Sequence, residues 1–162
     1  MTGKPSEAEA EFRLALPISQ KLANENPAVI AFSKDLASVL WGLGRSQHRT
    51  GRFAKAIEPL RRAIALGEAI HDLDVYVLYG LASSHASMAS LAADPRAGLS
   101  TGVAKDESDR AMATLRWAVT AGVRNRAELN SDPTLESLRQ RGDFRLLLMD
   151  LATPADPFPQ DK

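Results

Sequence analysis

The sequence predicts an all-α fold: a right-handed solenoid of antiparallel helix pairs closed by a C-terminal helical cap. Three observations carry that prediction. A turn-then-helix unit repeats at an offset of 48 residues, with Thr2-Gly3-Lys4 matching Thr50-Gly51-Arg52, Ala8 matching Ala56, Arg13 matching Arg61 and Ala15 matching Ala63. Phe12 and Leu16 fall on the apolar Leu60 and Ile64 of the second copy. The spacing A-x-x-x-[FL]-x-x-A occurs three times, at Ala8-Phe12-Ala15, Ala56-Leu60-Ala63 and Ala111-Leu115-Ala118. Finally, helical periodicity and helix stop signals recur along the whole chain, and no segment alternates as a strand would. A repeated turn-and-helix unit cannot bury its apolar face alone and does so by stacking on its neighbours.

The elements follow in order. The first helix is predicted from about Ser6 to Asn24, with Ala8, Phe12, Ala15, Leu16 and Leu22 on one side. Pro17 lies inside it and predicts a kink or break, because proline removes a backbone donor and crowds the preceding turn. Asn26-Pro27 is a restart signal, an N-cap followed by proline at the first helical position. The second helix therefore runs to about Arg49, with Ile30, Leu36, Val39, Leu40 and Leu43 as its stripe. Gly51 allows the reversal into a third helix, about 52–70, which turns Phe53, Ala56, Ile57, Leu60, Ala63 and Ile64 inward. A fourth helix spans about 74–93, with Leu78, Leu81, Ala82, His85, Met88 and Ala89 at helical spacing. Residues 95–105 carry two glycines and a proline and are predicted as an exposed loop. The fifth helix, about 106–121, buries Ala111, Leu115, Ala118 and Val119 and ends at Gly122.

The domain plan is then 1–126 for the repeats, 127–151 for the cap and 152–162 for a disordered tail rich in proline. The repeats divide into a half repeat at 2–24, a full repeat at 28–70 and a repeat with an inserted loop at 74–122. In the cap, Asp132-Pro133 starts a short helix with Leu135 and Leu138. Gly142 ends that helix, and Asp143 is placed to cap the next, which turns Phe144, Leu147, Leu148 and Leu151 inward.

Composition narrows the function. Twenty basic side chains balance twenty acidic ones, so no global field favours nucleic acid or an anionic membrane. The chain has no cysteine, which removes disulfides, thiolate metal sites and cysteine nucleophiles. The N-terminal residues have no apolar core of a secretory signal, and no stretch reaches the roughly 20 apolar residues of a membrane span. A cytoplasmic protein is expected, with no cofactor and no metal. The three histidines, His48, His71 and His85, form no ligand set beyond the turn His71-Asp72-Leu73-Asp74, which suits a solvated connection. His85 is expected in the core beside a satisfying neighbour. Ser83, Ser84, Ser87 and Ser90 lack a nucleophile elbow and fit a helix packed through small residues. Trp117 is expected to be partly buried under the cap, and Arg139, Arg141 and Arg145 to form a solvated face, with a phosphate or acidic partner as the functional alternative.

The alanine-leucine spacing, together with Gly44 and Leu43 before the Thr50-Gly51 turn, resembles the tetratricopeptide repeat. Small residues let paired helices approach to about 8–10 Å. The runs A-E-F-R-L-A-L-P-I-S-Q-K-L-A-N-E-N-P-A-V, L-R-W-A-V-T-A-G-V and S-D-P-T-L-E-S-L-R-Q-R-G-D-F-R-L-L-L-M-D-L are similar to the tetratricopeptide tails of planctomycete-type bacterial serine/threonine kinases. Neither a Gly-rich phosphate loop nor H-R-D or D-F-G is present, so no kinase activity comes with the likeness. It implies either a free scaffold or the detached C-terminal regulatory portion of such a kinase, at the end of a longer array.

In the family, the first helix of each pair lines a concave groove. Carried over, that implies Ser38, Trp41, Arg45, His48 and Arg49 on one helix and Tyr76, Tyr79 and Ser83, followed by Ala86 and Ser87, on the next. Trp41 and Arg45 stand where the family's carboxylate clamp has lysine and asparagine. Two arginines beside aromatic side chains suit a carboxylate, so the expected partner is a protein or peptide segment, acidic or C-terminal. The bland alternative is that the aromatics pack on adjacent helices and the arginines are solvated. The half repeat lacks a leading helix, which predicts an exposed face around Phe12 and Leu16 as a homodimer contact. The sequence thus points to a non-catalytic protein-interaction scaffold.

Overall fold

The computed structural model describes residues 4–152. Thr2, Gly3 and the tail from 153 onward, which carry parts of the repeat match and of the predicted disorder, lie outside the described residues. All regular structure among the described residues is helical. The elements are α1 (Pro5–Glu25), α2 (Ile30–Arg49), α3 (Phe53–Ala69), α4 (Val75–Ala93), α5 (Thr101–Ala121), α6 (Arg126–Ser131) and α7 (Gly142–Asp150), with short 3-10 segments at Pro95–Ala97 and Pro133–Leu138. No helix among them is long and apolar enough to cross a membrane.

Each of α1 to α4 packs on the helix that follows, and α2 also touches α4. The register along each pair is antiparallel. Glu9 meets Gln47 and Phe12 meets Gly42, while Leu16 and Ala23 join Leu36 and Leu40 in one cluster. Along α3, Ala56 and Leu60 lie against Gly44, and Ala63 against the Leu36 and Leu40 cluster. Gly44 is where the small-residue argument predicted one: an added Cβ would sit 2.6 Å from Leu60 Cγ. The reversal between α2 and α3 uses Gly51 at φ 74°, a left-handed conformation that glycine adopts without steric cost.

Two apolar clusters hold the C-terminal half. Ala82 and Ala86 of α4, Ala111, Met112 and Leu115 of α5, and Leu129, Leu135, Leu138, Phe144 and Leu148 of the cap form one core. Ala56, Leu60, Ile64, Leu81, Met88 and Leu91 form the other, between α3 and α4. The small side chains of α4 leave it buried on nearly every side, from Leu81 to Ala89. It is the helix on which α2, α3, α5 and the cap all converge.

Several local expectations are corrected. α1 runs unbroken through Pro17, its packing on α2 outweighing one lost backbone bond. Asn26 does not start α2; its Nδ2 donates to Leu22 O and closes α1 instead, and α2 begins at Ile30. Ile30 is then 47% exposed, outside the stripe predicted for it. The predicted loop 95–105 is mostly structured, because Asp94 caps the segment Pro95–Ala97, Gly98 turns at φ 68° and α5 already starts at Thr101. α6 was not foreseen; Asn125 caps it by accepting from Glu128 N. Asp143 lies inside the first turn of α7, where it accepts from Arg141 and Arg116 instead of capping the backbone.

The exposure predicted along α1 also differs. Phe12 and Leu16, predicted exposed, are half-buried against α2. The exposed apolar side chains of α1 are Leu14, Ile18 and Leu22. Trp117 is 57% exposed rather than tucked beneath the cap.

Candidate functional site

A pocket of about 500 Å³ opens where α2 and α4 run side by side, with residues of α3 and α6 also in its lining. Ser38, Trp41 and Arg45 reach it from α2 because they follow one another at three- and four-residue steps on a single face. Tyr76 and Tyr79 reach it from α4. That helix is started by Asp74, which accepts from Tyr76 N and Val77 N at 3.0 Å each. Five of the eight residues proposed for a groove therefore come together.

The other three do not. His48 lies one turn past Arg45 and packs on Phe53, with ring centroids 5.7 Å apart, away from the pocket. Burial pushes its pKa down, with the Asp94 carboxylate acting in the opposite direction. Arg49 is exposed and lines no part of the pocket. Ser83 is fully buried in the interior of α4. The two-arginine arrangement expected for a carboxylate is thus not assembled: only Arg45 is present, and its guanidinium lies 5.1 Å from the Trp41 ring centroid as a cation–π pair.

The aromatic walls are held in place. Trp41 and Tyr79 meet edge to face at 6.4 Å with an interplanar angle of 89°. Tyr79 Oη donates to Asp132 at 2.5 Å, and burial, with this bond next, raises the phenol pKa. Asp132 also accepts from Thr134 N and Thr134 Oγ1, both at 2.8 Å, so the same carboxylate anchors the cap and the pocket wall. Tyr76 is 85% exposed and stands at the mouth.

Four carboxylates line the pocket: Asp35, Asp74, Glu128 and Asp132. Reading the sequence for aromatics and arginines missed all of them. Asp35 lies three residues before Ser38 on the same helical face and could have been found by extending the stripe one turn. Glu128 and Asp132 arrive from more than eighty residues further along, with no local signal. The cations are Arg45 and Lys34, and Lys34 Nζ donates to Asp72 at 3.2 Å and Asp74 at 3.1 Å.

Elsewhere several charged groups are used for structure. His85 is 2% exposed, with Nδ1 2.6 Å from Glu107 of α5 and Nε2 3.8 Å from Glu68 of α3. Among the described residues no group of three His, Asp or Glu side chains has the arrangement of a metal site. Arg141 is held by Asp143, Asp109 and Ser108, and Arg139 by Glu136 and Asp132 O, so these two are committed to the cap and do not form an open anion site. Comparison with protein-family models, curated proteins and solved structures yields no match to this chain.

Proposed function

We propose that the chain is a non-catalytic interaction scaffold, a short right-handed solenoid of tetratricopeptide-like helix pairs that takes a segment of another protein in the groove between α2 and α4. The observation that carries this is the open, aromatic-walled pocket of about 500 Å³, built on helices rather than loops. Its walls are set before any ligand arrives: Trp41 is fixed by Tyr79 and Arg45, and Tyr79 by Asp132. A preformed surface loses little ordering entropy on binding, and large aromatic side chains supply contact area with few rotatable bonds. The close crossing of Gly44 beneath Leu60 and Ala56 supports the repeat assignment.

The test is a selection of displayed, randomised nonapeptides by the purified full chain, followed by affinity measurement on the recovered peptides. Tyr76→Ala is the diagnostic variant, since a side chain 85% exposed contributes little to folding. Recovered peptides should bind wild type and lose about tenfold or more on Tyr76→Ala, the cost of removing one aromatic anchor. A selection that returns no binder, or binders indifferent to Tyr76→Ala and to Arg45→Ala, rejects the groove.

A further inference from the structure

The formal charge of the groove is set by four carboxylates against two cations, and the bonds they make decide which charges remain for a ligand. Lys34 is engaged by Asp72 and Asp74. Asp132 is engaged by Tyr79 and Thr134. Arg45 lies over the Trp41 ring. Of the carboxylates, Asp35 and Glu128 are left: both are exposed, both line the pocket, and neither has an ion-pair partner among the described residues, while Arg45 is the lining cation without one. They come from two different helices, α2 and α6, with aromatic rings lining the pocket as well.

We infer that the segment this groove takes is basic, with an arginine or lysine side chain entering the pocket, its stem against the aromatic rings and its charge against Asp35 and Glu128. The inference rests on the groove assignment above and gives it a ligand chemistry opposite to the acidic one expected from Arg45 and Arg49. Guanidinium and ammonium groups are attracted to the faces of Trp and Tyr, and their methylene stems cover apolar surface while the head stays polar. The charges left without an ion-pair partner in the lining are then two carboxylates against Arg45, so an acidic segment would meet a net negative pocket, and like-charge juxtaposition is how grooves reject wrong partners. Tyr79 reports the same local field, since Asp132 and Glu128 both add to the upward shift that burial imposes on its phenol.

The experiment uses the same randomised nonapeptide library on the full chain and on Asp35→Asn/Glu128→Gln. Both positions are exposed and without ion-pair partners, so the double variant should keep the wild-type melting temperature, which is measured alongside. Wild type should enrich peptides carrying arginine or lysine, and the double variant should bind those peptides about tenfold more weakly, the loss of two partly solvated charge pairs. Raising salt should weaken wild type more than the variant. Enrichment of acidic or neutral peptides that still depend on Tyr76 would overturn the basic ligand and leave the groove standing. Basic peptides bound equally by wild type and the double variant would overturn it as well. If the pool shows no dependence on Tyr76, the groove itself fails and the basic ligand goes with it.

Discussion

Gly44→Ala sets two effects of similar size against each other, and the structure decides the sign. Replacing a glycine inside a helix by alanine stabilises by about 1 kcal/mol when nothing is in the way. At Gly44 something is: the new Cβ would lie 2.6 Å from Leu60 Cγ, 2.9 Å from Leu60 Cδ2 and 3.3 Å from the Ala56 carbonyl oxygen. Ordinary carbon contacts are about 3.5–4.0 Å, so α3 must retreat by about 1 Å. Leu60 and Ala56 are fully buried, so neither can swing into solvent. Overpacking of this kind costs about 1–3 kcal/mol, and subtracting the propensity gain leaves a net loss near 1 kcal/mol. Urea unfolding followed by circular dichroism measures it. Gly102→Ala is the control, because its nearest neighbour would be Ser100 Oγ at 4.0 Å, and it should be neutral or stabilising. Leu60→Ala alone should cost about 2–5 kcal/mol. The double variant should cost less than the sum of the singles by about 1 kcal/mol, since the added methyl partly fills the hole. If Gly44→Ala instead stabilises by the full propensity gain, the helices do not cross closely there and the small-residue argument is wrong.

Two further predictions concern charge. Glu9 is 2% exposed and accepts from Arg52 through both oxygens at 2.8 Å, pairs with Arg13 at 2.8 Å and takes a longer bond from Gln47. Glu9→Gln should therefore destabilise by about 1–3 kcal/mol in the same urea assay, with Arg52→Ala costing less because Arg13 still serves the carboxylate. The surface aspartates predict the acid limb. The pKa of Asp74 is held below its usual value first by the backbone N–H of Val77, and that of Asp94 is lowered to about 2, chiefly by its bond to Arg96. A carboxylate with a depressed folded-state pKa contributes stability that is present above its unfolded value near 3.8 and is lost as pH falls through the folded value. The melting temperature should thus fall between about pH 4 and pH 2, and Asp94→Asn should flatten that fall; an unchanged slope would show that the Arg96 contact does not persist in solution.

The helical character and the inward-facing residues were largely legible because their signals are local and repeated. Ala56, Leu60, Ala63, Leu81, Ala82, Ala111, Leu115 and Ala118 were predicted inward from spacing alone and are buried. What failed was the punctuation. Asn26 and Asp143 are good capping residues by type, but each found a better partner, a carbonyl in one case and arginines in the other. Pro17 looked like a break because sequence reasoning prices a lost bond and cannot see the packing that offsets it. The site was half legible for a similar reason. Ser38, Trp41, Arg45, Tyr76 and Tyr79 sit on the two helices whose periodicity places them together. Helical spacing also carried His48 and Ser83 along, because both share a helical face with the pocket aromatics, but further along their helices the first meets Phe53 and the second is buried in the core.

The cap links these two halves of the argument. Leu135, Leu138, Phe144 and Leu148 cover the apolar face of α4 and α5 by joining Ala82, Ala86 and Leu115 in one core. The same packing fixes where the polar side of the cap falls. Ser137 Oγ donates to Ala86 O at 2.9 Å, and Asp132, five residues earlier, reaches Tyr79. Once Leu135 and Leu138 are buried against α4, Asp132 must lie near the Tyr79 end of that helix, and Glu128, one turn before it in α6, lies at the pocket as well. Covering an apolar end and supplying the acidic wall of the groove are consequences of a single docking event. A segment that merely covered α4 and α5 could be replaced by any apolar helix; this one also sets the charge of the opening beside it.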